Sequence, residues 1–425
     1  MTNVALALES ADGSRRAEIL DTAAAVFAQN GVRTSLKDIA DACGILPGSL
    51  YHHFDSKDAI VAELVERYET EIDELASGAE ADARPPGSRS GRDPVLALAT
   101  SIFRCATRNR GALLLTLYEG GEEANGEPRP SNPQSTTRPP DALVAAMLGT
   151  LRAAQRAGEL RSDIDLPTLA QRVCQSMLHI SIGILTGTPG DDTMPIIMCR
   201  LLLDGVATRP PEDTELDRSP AFAAAQRAIA TWQDNVTEED ERVALLRTAA
   251  RTEFGRLGYR ATRIRDIARA AGMSTGSVYR LVGSKENLLV LVMQSFASKI
   301  TAGWEAVLES DSTVIEKLDA LIWVDINTLD RFTEEFQIQL GWFLESPPAT
   351  GRIGWLVETR LTEVGALLRT GVQSGEIQLP PGSAADATLC VLELIWTPEN
   401  VVDAGPLEAL AFARDAVLRG AAQRS

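Results

Sequence analysis

Apolar residues recur every three or four positions along most of this chain, and no stretch alternates convincingly with period two. That spacing puts one side of each segment on a helical stripe, so the pattern predicts an all-α protein. In the first half, Leu20, Ala24 and Phe27 mark a helix over about Arg15–Asn30. Ile60, Leu64, Tyr68 and Ile72 mark a longer one over about Lys57–Ser77, capped by Ser56. Helical patterns follow at Val95–Arg108, Ala112–Tyr118, Asp141–Ala157, Leu166–Leu185 and Met194–Ala207. The last two are apolar over a wide arc, which predicts burial against a partner helix as well as against their own core. In the second half, Val243, Leu246, Ala250, Phe254 and Leu257 share one stripe, and Leu289, Val292, Phe296 and Ile300 share another. Further helices are predicted at Val314–Leu329, Phe332–Leu344, Gly354–Gln373, Ala384–Trp396 and Pro406–Gly420.

The pattern breaks at three places. Arg84–Arg92 is rich in Pro, Gly, Ser and Arg, and Glu119–Pro140 has five prolines and almost no apolar residue, the composition of a loop without a core. Arg209–Pro220 is acidic and Pro-rich and reads as a junction, bridged by a short helix, Ala221–Trp232, to the next cap at Thr237 and the acids Glu238, Glu239 and Asp240.

Ile264–Lys285 has the pattern of two short helices and a tight turn. Ile264, Ile267, Ala268 and Ala271 face inward, Gly272 makes the turn, and Ser274 caps a second helix whose Val278 and Leu281 face the core. Thr275, Gly276, Ser277, Tyr279 and Arg280 are left to face out, as in a helix-turn-helix that lays its second helix in the major groove. The same arrangement occurs twice. Phe27 and Gly31 match Phe254 and Gly258, and after a one-residue gap Asp38-Ile39-Ala40, Gly44, Gly48-Ser49, Tyr51 and Lys57 match Asp266-Ile267-Ala268, Gly272, Gly276-Ser277, Tyr279 and Lys285. Leu151-Arg152 and Gly158-Glu159 echo Leu368-Arg369 and Gly375-Glu376, so the repeated unit is about two hundred residues long.

Charge sharpens this reading. The chain carries a net −18, yet Arg242–Lys285 holds ten basic residues against Glu253 and Asp266, a local +8. A basic module on an acidic body suits a protein that meets DNA by one face. The first head is different: Ser14–Lys57 has five bases and five acids. Five scattered cysteines without a CxxC pair fit reduced thiols and a cytoplasmic location, three histidines argue against a metal site, and no apolar run has the length of a membrane span. P-loop, GxSxG and HExxH motifs are absent, so no catalytic residues, cofactor or metal are expected.

On these motifs (Phe-x3-Gly, Asp-Ile-Ala, Gly-Ser-Leu/Val-Tyr and the closing Ser-Lys) each unit resembles a TetR-family transcriptional regulator. The resemblance implies a three-helix DNA-binding head followed by a helical ligand-binding and dimerisation body, twice over. The expected organisation is a first head at 13–57, a first body at 58–208, a linker at 209–236, a second head at 237–285 and a second body at 286–425. It implies phosphate contacts at Tyr279, Lys285 and Thr262 in the second head and at Tyr51, Lys57 and Thr34 in the first. Base reading would fall to Ser274, Thr275, Ser277 and Arg280, with Arg280 placed for guanine, and to Pro47, Ser49 and His52, while Gly276 and Gly48 allow close approach. The implied function is a repressor released from operator DNA by a small, apolar effector; the alternative is a helical ligand-binding or adaptor protein whose heads no longer bind DNA.

The first head departs from the pattern: Leu46 replaces the serine cap, at a cost of about 1 kcal/mol in helix start. Two unequal heads in one chain suggest an intrachain pseudo-dimer on an asymmetric operator, with a four-headed homodimer as the rival. Trp323, Trp342 and Trp355 are candidates for a pocket in the second body, although tryptophans at such spacing also serve as plain core. His179 on an apolar helix reads as a core histidine.

Overall fold

The computed structural model describes residues 2–30, 34–82, 92–118, 138–183, 185, 190–232, 241–345, 354–396 and 405–423, side chains within some of these segments excepted. Among them the chain is all-α, with no strand beyond two isolated β-bridges. The first unit runs α1 (Thr2–Asn30), α2 (Leu36–Ala42), α3 (Pro47–Leu50), α4 (Lys57–Asp82), α5 (Arg92–Arg108), α6 (Arg110–Tyr118), α7 (Asp141–Arg156), α8 (Leu166–Ile182) and α9 (Met194–Asp204). The junction holds α10 (Asp213–Asp217) and α11 (Pro220–Ala230). The second unit repeats the order as α12 (Glu241–Ala261), α13 (Ile264–Ala270), α14 (Thr275–Val282), α15 (Lys285–Leu308), α16 (Val314–Arg331), α17 (Thr333–Glu345), α18 (Gly354–Ser374), α19 (Ala384–Trp396) and α20 (Pro406–Ala413). The predicted helix Pro406–Gly420 is α-helical only to Ala413 and finishes as a π-helical turn, Arg414–Arg419. The predicted breaks at 84–91 and 119–137, and the cap and acids at 237–240, lie outside the described residues.

Within the span expected as a linker, 209–236, the described residues 220–232 pack on helices of the second unit. Phe222, Ala225, Ile229 and Trp232 are buried at helical spacing, and α11 packs on α15 and α16, with Trp323 stacked on Phe222 at 5.6 Å. The acids of the junction have partners. Arg414 donates to Asp319 at 2.8 and 2.9 Å and to Asp217 at 2.8 Å, and Arg419 bonds Asp213 and the Pro211 carbonyl. The acidic, Pro-rich stretch is therefore strapped down by two arginines of the π-helical turn.

The wide apolar arcs of α8 and α9 find their partner within the chain. α9 lies against α19 and the π-helical turn, so the two units meet there. Gly205 and Gly420, each just past the last helix of its unit, touch there. A Cβ on Gly205 would fall 2.5 Å from the Gly420 nitrogen, so only glycine permits this approach. The segment after each glycine then crosses to the other unit. Gln423 N donates to the Glu159 carbonyl (2.8 Å) and Arg161 N to Ala421 (2.9 Å); the mirror set is Thr208 N to Glu376 (2.9 Å) and Gln378 N to Val206 (3.0 Å). The Gly-Glu echo in the sequence sits at these crossings. The Glu159 carboxylate also accepts from the first N–H of α5 and the Glu376 carboxylate from the first N–H of α16, both at 2.8 Å.

One buried group of charges breaks the symmetry. Arg172 on α8 donates to the carbonyls of Leu394 (3.1 Å) and Glu393 (3.4 Å) in the last turn of α19, satisfying oxygens the helix itself leaves unbonded. The Glu393 carboxylate accepts from Ser176 (3.3 Å) and stands 3.1 Å from His179 Nδ1. His179 is thus buried as expected, with the Glu393 carboxylate of the other unit beside its ring.

Candidate nucleic-acid interface

Each head is three helices around a small core. Ile19, Ala23, Phe27, Ile39, Ala40 and Leu50 are buried in the first, and Leu246, Ala250, Phe254, Ile267, Ala268 and Val278 occupy the matching positions in the second. Gly44 and Gly272 both hold φ of +65° with open space around the Cβ position, the left-handed turn that the sequence pattern required.

The second head presents its reading helix in ordered form. Ser274 caps α14 by accepting from Ser277 N at 3.1 Å, the two hydroxyls lie 2.9 Å apart, and Arg280 donates to the Ser277 hydroxyl at 3.2 Å. Thr275, Gly276, Tyr279 and Arg280 are exposed and Ser277 half-buried, so five of the proposed contacts share one face. Lys285 rests its ammonium 4.4 Å from the Tyr259 ring, whose hydroxyl donates to Glu286 at 3.1 Å. Burial and the Glu286 charge push the Tyr259 hydroxyl up to about 12. That residue had not been singled out; its position under the lysine is a tertiary contact that spacing does not show.

The first head is built from the same parts differently. Ser35 and Asp38 form a capping box at α2, where the second head has uncapped Arg263, whereas α3 starts at Leu46 with no side-chain cap. The reading helix ends at Leu50 and continues as a turn through Tyr51, His52 and His53. α3 is four residues long against eight in α14, and it starts at proline without a side-chain cap. Pro47, Gly48, Ser49, Tyr51 and His52 are all exposed, and Lys57 is half-buried with its ammonium over Phe27, burial lowering its pKa against the raising effect of Asp58 and Asp38.

Two expected phosphate contacts need correction. Thr34 and Thr262 are each only 1 % exposed. The Thr262 hydroxyl donates inward to the Gly258 and Glu253 carbonyls at 2.7 and 2.9 Å, and the Thr34 hydroxyl reaches the Val26 carbonyl. Both tie the end of the first head helix to the start of the next, so their hydroxyls are not presented to DNA.

Of the three candidate pocket tryptophans, only the side chain of Trp323 is described. Trp323 is half-buried in packing against Phe222, while the side chains of Trp342 and Trp355 lie outside the described residues. A cavity in this body is lined by Phe296, Ile300, Asp325, Thr328, Phe336 and Gln339, and at ≈ 10 Å³ it admits about one water. Asp325 Oδ1 accepts from the buried Trp304 Nε1 at 3.0 Å, while Asp325 Oδ2 and both polar atoms of Gln339 have no protein partner. Burial pushes the Asp325 carboxyl up to about 7, against the lowering effects of Trp304 and Arg360. No group of three His, Cys, Asp or Glu that could hold a metal occurs among the described residues, and no helix there is long and apolar enough to cross a membrane.

Two helix-turn-helix heads on helical bodies define a DNA-binding transcriptional regulator. The sequence pattern of the bacterial regulatory proteins of the tetR family matches residues 19–64 and 246–292, once per head. The HTH-type transcriptional repressor KstR2 of Rhodococcus jostii is 32% identical over 202 residues, spanning 47% of this chain and 94% of that protein. The protein of the same name from Mycobacterium tuberculosis is 60% identical over 53 residues, 12% of this chain and 26% of its own length. The solved structure of the latter, described as a ketosteroid transcriptional regulator, aligns with a TM-score of 0.39 at 22% identity, covering 44% of this chain and 97% of that one. The chain belongs to the TetR family, with two family units in one polypeptide.

Proposed function

We propose that the chain is a repressor that binds one operator through both heads as an intrachain pseudo-dimer and leaves it when a small molecule enters the second body. The observation that carries the DNA reading is α14, where the exposed Arg280 guanidinium is held by Ser277 at the groove-facing end of a capped helix. In this reading Ser274, Thr275, Ser277 and Arg280 contact bases, Gly276 allows close approach, and Tyr279 and Lys285 hold phosphates. Pro47, Gly48, Ser49, Tyr51, His52 and Lys57 serve the first head in the same way. In this reading the heads are 13–57 and 237–285 and the bodies 58–208 and 286–425, with α11 counted as part of the second body. The name of the Rhodococcus jostii relative supports repression.

Release would pass through α17. Phe336 and Gln339 on this helix line the cavity, while Glu334 on its other side packs on the head. A Cβ on Gly255 of α12 would be 3.0 Å from Glu334 Cβ, and Arg251 of α12 pairs with Glu334 at 3.4 Å and Glu335 at 3.6 Å. A ligand larger than one water must spread α15, α16 and α17, and so shifts the surface on which the second head rests. The unpartnered oxygen of Asp325 and the Gln339 amide favour an effector with a polar group on an apolar frame.

Binding to DNA selected by the full chain tests the proposal. Arg280→Ala should weaken binding by about 1–3 kcal/mol and relax preference at one base pair, whereas Lys285→Ala should weaken all sequences alike and reduce the salt slope by about 1. Unchanged binding by both variants would sink the reading for the second head.

A further inference from the structure

The two reading helices present different chemistry at the same position. In the second head Ser274 starts the helix and bonds its own backbone. In the first head Leu46 stands there, 76 % exposed, beside exposed Pro47 and ahead of Tyr51, which is 55 % exposed. No Asp, Glu, Lys or Arg occurs from Gly44 to Phe54, so this tip offers aliphatic, aromatic, hydroxyl and imidazole groups. Its position is fixed from behind. Arg15 donates to the Cys43 carbonyl at 3.1 Å, Ile45 N to Ala40 at 3.0 Å, and Leu50 is buried one turn on. Leu46 is therefore held outward on a rigid turn rather than left on a loose loop.

In the major groove, the apolar group that distinguishes one base pair from the others is the C5 methyl of thymine; the remaining edges are hydrogen-bond donors and acceptors. An aliphatic side chain that cannot hydrogen-bond gains nothing from those edges and desolvates them, but gains from covering a methyl. Resting on the proposal that both heads bind one operator, we propose that Leu46, with Pro47 beside it, reads a thymine through its methyl. The two half-sites then differ in kind: one carries a methyl mark under the first head, and the other a hydrogen-bonding edge under Ser274, Ser277 and Arg280.

Uracil in place of thymine removes that methyl and nothing else. With an operator selected by the full chain, uracil is substituted throughout one half-site, then the other, and affinities are measured for the wild type and for Leu46→Ser. That variant installs the capping residue found at Ser274, so it should not weaken the start of α3. The wild type should lose about three- to fivefold in affinity per critical methyl in one half-site, and L46S should erase the loss in that half-site alone. If the wild type is indifferent to uracil in both halves, or L46S keeps the wild-type sensitivity, the inference is overturned and the apolar tip faces something other than a thymine. If the wild type selects no DNA at all, the repressor reading itself falls, an outcome distinct from either.

Discussion

Asp325 shows how one side chain can link the second body to solution conditions. Its carboxyl is buried beside Phe296, Phe336 and Gln339, and titrates near 7 in the fold against 3.8 when free. Because the folded value is the higher one, stability falls as pH rises from about 4 to 7, where only the unfolded chain releases the proton, and is flat above that. Asp325→Asn keeps an oxygen for Trp304 and cannot ionise. Its unfolding curve should lose this pH dependence and show a gain of about 1–3 kcal/mol at pH 8. Equal wild-type and variant slopes between pH 4 and 7 would show that the carboxylate is already stabilised in place. Nothing in the sequence marked Asp325, since an acid within an apolar helix is silent until the facing helix places Trp304 against it. Arg280 was legible because the turn glycine and the cap fix its place in the head. Thr34 and Thr262 were misjudged because a hydroxyl at a helix start reads alike whether it turns to a phosphate or back to a carbonyl.

At the level of elements, periodicity recovered nearly every helix, and the misses have local causes. α3 starts without a side-chain cap and ends at Leu50, and the last helix widens into a π-helical turn where Arg414 reaches Asp319 and Asp217. The Gly-Glu echo was visible, but its meaning was not, because Glu159 and Glu376 act on helix starts far off in sequence. The partner of α8 was legible only as a need for one. Within the chain that partner is α19, and the charges suit this pairing: α8 carries Arg172 and His179 and no acid, while α19 carries Asp386 and Glu393 and no base. Removing one member of the buried pair, by Arg172→Met or by Glu393→Leu, should destabilise the chain by about 3–5 kcal/mol, whereas removing both with Arg172→Met/Glu393→Leu should cost much less than the sum. Denaturant melts of the two single changes and the double would measure the coupling. A value within about 0.5 kcal/mol of zero would mean that the two residues do not support one another across the seam.

For the whole molecule, the seam decides how many chains sit on an operator. Both tails, residues 205–208 and 420–423, are used up in reciprocal bonds to the other unit, and Gly205 and Gly420 touch between them. The junction that joins the units is held by Arg414 and Arg419, so the second unit is presented to the first at high effective concentration. A second chain that paired like unit with like would bring α8 against α8, or α19 against α19, placing like charges together. One chain should therefore saturate one operator. The heads it presents are unequal, one basic with a capped reading helix and one neutral with an uncapped apolar tip, so the preferred site should be asymmetric. Sedimentation on a minimal selected operator should give a single chain per duplex, and a symmetrised operator built from two copies of either half-site should bind more weakly than the natural one. Gly420→Val, which forces a side chain into the Asp204–Gly205 backbone, should open the seam and lose the single-chain complex while leaving both head cores intact. Two wild-type chains on the minimal site, or equal affinity for a symmetrised one, would require the units to pair between chains instead.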